Sequence, residues 1–240
     1  RATVLGSEGA GIELADHLLS KRGISEYPNE AVRILTNIVL RSQDLRPARL
    51  LSEFFLLGSN RAVDHASGLV IARKMASQDP KTGLILAKFL VTHENLTPGV
   101  ATDEAIQIYS GWAEAGVTSA QIEVSALLIK RNKEGDQALA LRYLNIARAK
   151  KQSTAMIMLA KLALARKDRP NIEKQNQFLA RTYLDEAIQM GSADAMQMQA
   201  ALLGKHTRRG KELLRSAEAI VLNSGQEAMS VPTEKCTSID

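Results

Sequence analysis

The chain has 240 residues, and 45% of them are hydrophobic, which is enough to bury a sizeable core and excludes wholesale disorder. Only 4% are aromatic, which argues against a sheet-rich fold, and no apolar run approaches the roughly 20 residues that cross a bilayer. The formal charge of +5 is too mild to name nucleic acid or a membrane surface as the partner, and the single cysteine, Cys236, excludes an intrachain disulfide and a multi-cysteine zinc or iron–sulfur site.

The chain opens on Arg1 rather than Met, and it enters a helical pattern almost at once. Any targeting segment would therefore lie upstream of it, and we expect further repeats there. The glycines of "GSEGAG", Gly6 to Gly11, lack the preceding strand and the order of a phosphate loop, so a loop before a helix is expected there. Ala15 follows in "GIELADHLL", Ser52 in "RLLSEFF" and Ala87 in "TGLILAKFL". Tyr109 is then followed by Ala113, Ala120 and Ser125, Tyr143 by Ala147, Ala155 and Ala160, and Tyr183 by Ala187, Ala195 and Ala200. Each of these last spans reads as helix, tight turn, helix. Taking Ala15, Ser52, Ala87, Ser125, Ala160 and Ala200 as equivalent gives steps of 37, 35, 38, 35 and 40 residues by subtraction. A stride near 37 is that of a two-helix repeat.

The punctuation agrees with this register. Pro28, Pro47, Pro80, Pro98, Pro170 and Pro232 fall at expected loops or helix starts, where proline is tolerated. Gly116 and Gly191 fall between paired helices, where a left-handed cap is usual. Two facing helices approach closely only if the side chains between them are short. Ala113 with Ser125, Ala147 with Ala160, and Ala187 with Ala200 meet that requirement, and Tyr109, Tyr143 and Tyr183 would fill the gap to the next pair. After the last repeat, "KHTRRGKELLRSAEAIVLNSG" reads as one more amphipathic helix with the stripe Leu213, Leu214, Ala217, Ile220 and Val221. A helix with one polar face is what closes a solenoid. From Asn223 onward the chain is polar and reads as a tail, or as a strap docked through Val231 and Pro232.

Ala140, Tyr143, Ala147, Ala155, Leu159 and Ala160, with Ala180, Tyr183, Ala187, Gly191, Ala195 and Ala200, resemble the signature of the Sel1-like repeat family, a relative of the tetratricopeptide repeats. "PGVATDEA", Pro98 to Ala105, is similar to its inter-repeat loop. The usual second-helix glycine is Ala at Ala87 and Ala160, so the repeats are divergent. The resemblance covers residues 2–204. It implies an all-α, right-handed superhelical solenoid of antiparallel helix pairs, with residues 1–204 as five to six pairs, the first incomplete; the residue pattern then adds 205–223 as a capping helix and 224–240 as a polar tail. The resemblance also implies a noncatalytic scaffold or adaptor that holds another protein on its concave face. The setting it implies is periplasmic or envelope-associated, as in exopolysaccharide (for example alginate) export or its regulation, with the cytoplasm as the alternative. Membrane association would need an N-terminal anchor outside the chain.

Chemistry is hard to find. No catalytic nucleophile motif is present, and "GKHTRRGKE" departs from the Walker pattern, with Glu212 where Ser or Thr must hold magnesium. His17, His65, His93 and His206 have no metal-ligand spacing and are expected as solvated surface residues. No catalytic residue, cofactor or metal is expected. Cys236, beside Lys235 in the tail, reads as a free thiol. The candidate partner-binding residues are Trp112, the only tryptophan, and the first-helix cations Arg41, Arg73, Lys74, Arg142, Arg148 and Arg181, because Trp and Arg are enriched among binding hot spots. Two other readings stand beside the adaptor. One is an RNA-binding helical repeat, for which no consistent base-reading pair is seen. The other is the helical portion of a larger cell-wall enzyme.

Overall fold

The computed structural model describes residues 8–19, 28–57, 64–93, 100–165 and 170–229, and among these there are twelve α-helices and no strand. Two compact units, residues 1–133 and 134–240, divide the chain. The first holds α1 (Glu8–Leu19), α2 (Pro28–Val39), α3 (Arg46–Leu57), α4 (His65–Met75), α5 (Pro80–Thr92), α6 (Val100–Glu114) and α7 (Thr118–Arg131). The second holds α8 (Asp136–Ala149), α9 (Ser153–Ala165), α10 (Pro170–Gln189), α11 (Ala193–Leu203) and α12 (Arg208–Met229).

Within each unit a helix packs on its neighbours in sequence, and odd helices also touch the next odd one, α3 with α5 and α9 with α11. Contact only between successive repeats defines a helical-repeat solenoid, and the fold is all-α of that kind. The expected register holds residue by residue. Ala15, Ser52, Ala87, Ser125, Ala160 and Ala200 fall on α1, α3, α5, α7, α9 and α11, and each is 0% exposed.

A fuller pattern surrounds them. Each second helix from α3 to α11 buries four residues at positions i, i+1, i+4 and i+5. They are Pro47, Ala48, Leu51 and Ser52 on α3, and Thr82, Gly83, Leu86 and Ala87 on α5. Then come Ala120, Gln121, Val124 and Ser125 on α7, Ala155, Met156, Leu159 and Ala160 on α9, and Ala195, Met196, Gln199 and Ala200 on α11. This spacing is one helical stripe. Its first and last members are small, or Pro at the helix start, so a first helix can lie close against it. On the first helices, Ala113, Ala147 and Ala187 are correspondingly buried, as are Tyr109 and Tyr143, while Tyr183 is half-buried.

Helix starts and stops follow local chemistry. Pro28, Pro80 and Pro170 begin α2, α5 and α10, and Pro47 is second in α3, in first turns that need no proline N–H. Asp79 caps α5 by accepting from the Thr82 amide at 3.0 Å and the Thr82 hydroxyl at 2.6 Å. Asp64 does the same for α4 through Ser67, whose hydrogen bonds hold the Asp64 carboxyl below its ordinary range. Gly116 and Gly191 take φ of +89° and +76° in the hairpin turns, the left-handed conformation that glycine enters without steric cost. Lys151 occupies the Gly191 position of the α8–α9 turn with φ of +60°.

Several expectations are corrected. Within the glycine stretch the described residues are helix rather than loop: α1 begins at Glu8 and includes Gly9 and Gly11. Burial of Gly11, Ile12 and Ala15 outweighs a glycine propensity cost of about 1 kcal/mol each. His65 and His93 are not separate surface residues. They are half-buried on either end of the α4–α5 hairpin and meet Phe89, with ring centroids 4.9 Å and 4.2 Å from it and 5.4 Å from each other. His17 and His206 are exposed as expected. The helix after the last repeat runs from Arg208 to Met229 rather than over 205–223. Its start is set by Thr207, whose hydroxyl accepts from the Gly210 amide at 3.0 Å, and the helix formers Gln226 to Met229 carry it onward. Pro98, Pro232, Cys236 and the strap through Val231 lie outside the described residues.

A larger side chain at the hairpin contact is expected to be costly. Ala160→Leu should destabilise the fold by about 1–3 kcal/mol, because overpacking forces neighbours off their rotamers. Thermal or urea unfolding followed by circular dichroism measures it, and an unchanged midpoint would show that the contact has slack.

Candidate functional site

Two clefts are lined by the ends of successive first helices, one in each unit. The cleft of the first unit lies between α4 and α6 and has a volume of about 580 Å³. Leu86 of α5, Ala76 just after α4, and Ile108, Gly111, Trp112 and Ala115 along and after α6 give it an apolar lining. At its rim Arg73 of α4 donates two parallel 2.8 Å hydrogen bonds to Glu104 of α6. That bidentate pair spans 31 positions of sequence and ties the two first helices together.

Trp112 enters the cleft because of a glycine. The indole is half-buried, and its Nε1–H donates to the Ala76 carbonyl at 3.0 Å, one repeat back. A Cβ on Gly83 would lie 2.4 Å from that Nε1 and 2.8 Å from the Ala76 oxygen. Gly83 holds the second place in the buried quartet of α5, where α7 has Gln121 and α9 has Met156. The missing side chain is therefore the space the indole uses.

The cleft of the second unit stands at the same register with different chemistry. It has a volume of about 330 Å³ between α8 and α10, lined by Asn145, Arg148, Ala149, Lys151, Met156, Glu186, Gln189 and Met190. Glu186 precedes Ala187 as Trp112 precedes Ala113, and Met156 holds the Gly83 position. Arg148 donates to both Glu186 carboxylate oxygens, at 2.6 Å and 2.5 Å, and its guanidinium sits 4.9 Å from the centre of the Tyr183 ring. The hydrogen bond from Arg148 holds the Glu186 carboxyl below its ordinary range, and the same bond raises Arg148. The charged pair occupies the place that the indole takes in the first unit.

Of the residues singled out from the sequence, the structure brings Trp112 and Arg73 together in one cleft and puts Arg148 in the other. Arg73 and Arg148 are each engaged by a carboxylate. Lys74 and Arg181 are exposed on α4 and α10, and Arg142 lies on α8 with its guanidinium 5.8 Å from the centre of the Tyr143 ring. Arg41 is not on a first helix: it lies in the turn after α2, where its amide donates to the Ile38 carbonyl. Sequence reading missed Glu104, Glu186 and Gly83. Nothing in the spacing marks the two acids, whereas Gly83 could have been found as a glycine at a quartet position. Among the described residues no group of three or more His, Cys, Asp or Glu is placed to hold a metal, and no helix is long and apolar enough to cross a membrane.

No protein-family model and no curated protein matches the sequence. Solved structures do match the fold. One is a protective antigen of uropathogenic Escherichia coli strains displaying an SLR fold, similar over 100% of this chain and 59% of that one, with a TM-score of 0.62 and 15% identity. This chain thus spans little more than half the length of that protein. A second is a Sel1 repeat protein from Oxalobacter formigenes, similar over 97% of this chain and 91% of that one, with a TM-score of 0.61 and 18% identity. At such identities the likeness is one of fold, and it bears out the Sel1-like resemblance at that level.

Gly83→Ala should expel the indole from its contact with Ala76. Because Trp112 is the only tryptophan, its emission should shift to longer wavelength, whereas Gly111→Ala, where a Cβ meets nothing within 4 Å, should leave it unchanged. Equal spectra for both variants would refute the packing described. In the second unit, Glu186→Gln should cost about 0.2–1 kcal/mol at neutral pH, the range for a pair about a third exposed. A carboxyl held low adds stability above its unfolded pKa, and that addition is lost as pH falls through the folded value. The difference between wild type and variant should therefore shrink as pH falls below the ordinary glutamate range and vanish once the carboxyl is protonated in the folded protein too. A pH-independent difference in melting temperature would assign the loss to packing instead.

Proposed function

We propose that this protein is a noncatalytic adaptor that receives an apolar anchor residue of another protein in the cleft between α4 and α6. The observation that carries this reading is the cleft itself: an indole, Ile108 and Leu86 in an apolar hollow, rimmed by a paired Arg and Glu. Hot spots of protein interfaces have this composition, with an aromatic or Arg anchor enclosed by neighbours that exclude water. Its 580 Å³ is room for a few side chains, a size that small-ligand pockets share. A nucleic acid is the poorer reading, because Arg73 and Arg148 are engaged by Glu104 and Glu186 and lend little net charge to a phosphate. Helical repeats stacked in this way hold proteins, and the solved SLR-fold structures are in keeping with that use. Placement in an envelope process, such as exopolysaccharide export or its regulation, is the finer part of the proposal and is supported by the repeat resemblance.

A photo-crosslinking residue at Gly111 is the direct test, since the position is exposed and open. In extracts of the producing cells it should yield one dominant protein adduct, lost on Trp112→Ala and accompanied by a change in Trp112 emission when the partner is purified. Adducts to RNA, or a protein adduct indifferent to Trp112→Ala, would count against the reading.

A further inference from the structure

We infer that the cleft between α8 and α10 takes an acidic side chain of a partner protein, set beside an apolar one, and that Lys151 receives the carboxylate. This site is distinct from the α4–α6 cleft and does not rest on the reading given to that cleft.

Three hairpin turns share one backbone design. In the α6–α7 turn the Gly116 amide donates to the Ala113 carbonyl at 3.1 Å and Val117 to Trp112 at 2.9 Å. In the α10–α11 turn Gly191 donates to Ile188 at 2.8 Å and Ser192 to Ala187 at 3.1 Å. In the α8–α9 turn Lys151 donates to Arg148 at 2.8 Å and Gln152 to Ala147 at 3.2 Å. The left-handed place in these turns is thus held by Gly116, Gly191 and Lys151, at φ of +89°, +76° and +60°. Every bond named is between backbone groups, so glycine would meet all that the turn requires. Lysine there carries the steric cost of a Cβ and returns nothing to the turn. Strain of this kind, held where the local structure has no use for it, points to a task for the side chain.

The side chain lines the cleft, and the cleft has a charge to spare. Arg148 and Glu186 satisfy each other at 2.6 Å and 2.5 Å. Lys151 is exposed, and among the described residues no acid pairs with its ammonium. Two cations and one acid therefore leave a single positive charge at the cleft. One carboxylate matches it through a charge-assisted hydrogen bond, whereas a phosphate chain calls for a run of cations. Beside the charge stand two methionines, Met156 at 4% exposure and Met190 at 46%. Methionine is flexible and polarisable, and it adapts to apolar side chains of varied shape. A volume of about 330 Å³ admits a short pair of side chains, one acidic and one apolar.

The probe is the capped dipeptide acetyl-Leu-Glu-amide, titrated into the whole chain with isotope-labelled methionine methyl groups and followed by NMR. Saturable shifts are expected at Met156 and Met190 and not at Met75 of the first unit. The near-isosteric acetyl-Leu-Gln-amide should bind at least about tenfold more weakly. Lys151→Gly should weaken the Glu peptide by at least about tenfold and at the same time raise the melting temperature, because it takes a Cβ out of a left-handed turn. A lysine with a merely structural role would not set binding against stability in this way. Lys151→Met keeps the Cβ and an apolar stem, so it should weaken binding without raising the melting temperature. The inference is overturned by the absence of saturable shifts at Met156 and Met190, by equal affinity for the two peptides, by binding that survives Lys151→Gly, or by a melting temperature that fails to rise in that variant. None of these results bears on the α4–α6 cleft, which Trp112→Ala reads separately.

Discussion

Everything in this fold depends on how closely a second helix can lie against the first. The four-residue stripe sets that distance, with small residues at its ends and a larger one inside it. Once the separation is fixed, the turn between the helices is short. The end of each first helix is then delivered next to the end of the following one. The clefts sit at those ends, so the residues that line them are placed by contacts made on the far side of the hairpin. Trp112 is the clearest case: its position follows from Gly83 on one helix and the Ala76 carbonyl at the end of another.

Identical placement need not mean identical chemistry. At one register the first unit has an indole donating to a carbonyl, and the second has a guanidinium clasped by a carboxylate and resting on a phenol ring. The first arrangement leaves an apolar hollow of about 580 Å³, the second a smaller one of about 330 Å³ with charge across it. A repeat protein can vary its interaction chemistry at such positions by changing the second place of the stripe, Gly83 in one unit and Met156 in the other, while the small residues at the stripe's ends keep the hairpin together.

Periodic features were legible in the sequence. Tyr–Ala spacing, the small residue on every second helix, the prolines at helix starts and the glycine turns all act within a few residues of where they stand. Pairings across repeats were not. Arg73 finds Glu104 at 31 residues, and Arg148 finds Glu186 at 38, and no local pattern distinguishes those acids from others on solvated faces. The histidines were misjudged for the same reason: His65 and His93 begin and end one hairpin, so they converge on Phe89 only after it closes. Lys151 in a left-handed turn was invisible because Lys announces nothing about φ, while the hairpin around it determines the backbone there.

Contact confined to sequence neighbours has a bearing on how such a chain can change over generations. A substitution is felt by the hairpin that carries it and by those on either side, and hardly beyond. Each repeat can then drift at its own pace, provided that its handful of short inward side chains stays short. Two descendants can come to share little of their text while keeping one architecture, and new binding faces can arise in one repeat without asking permission of the rest.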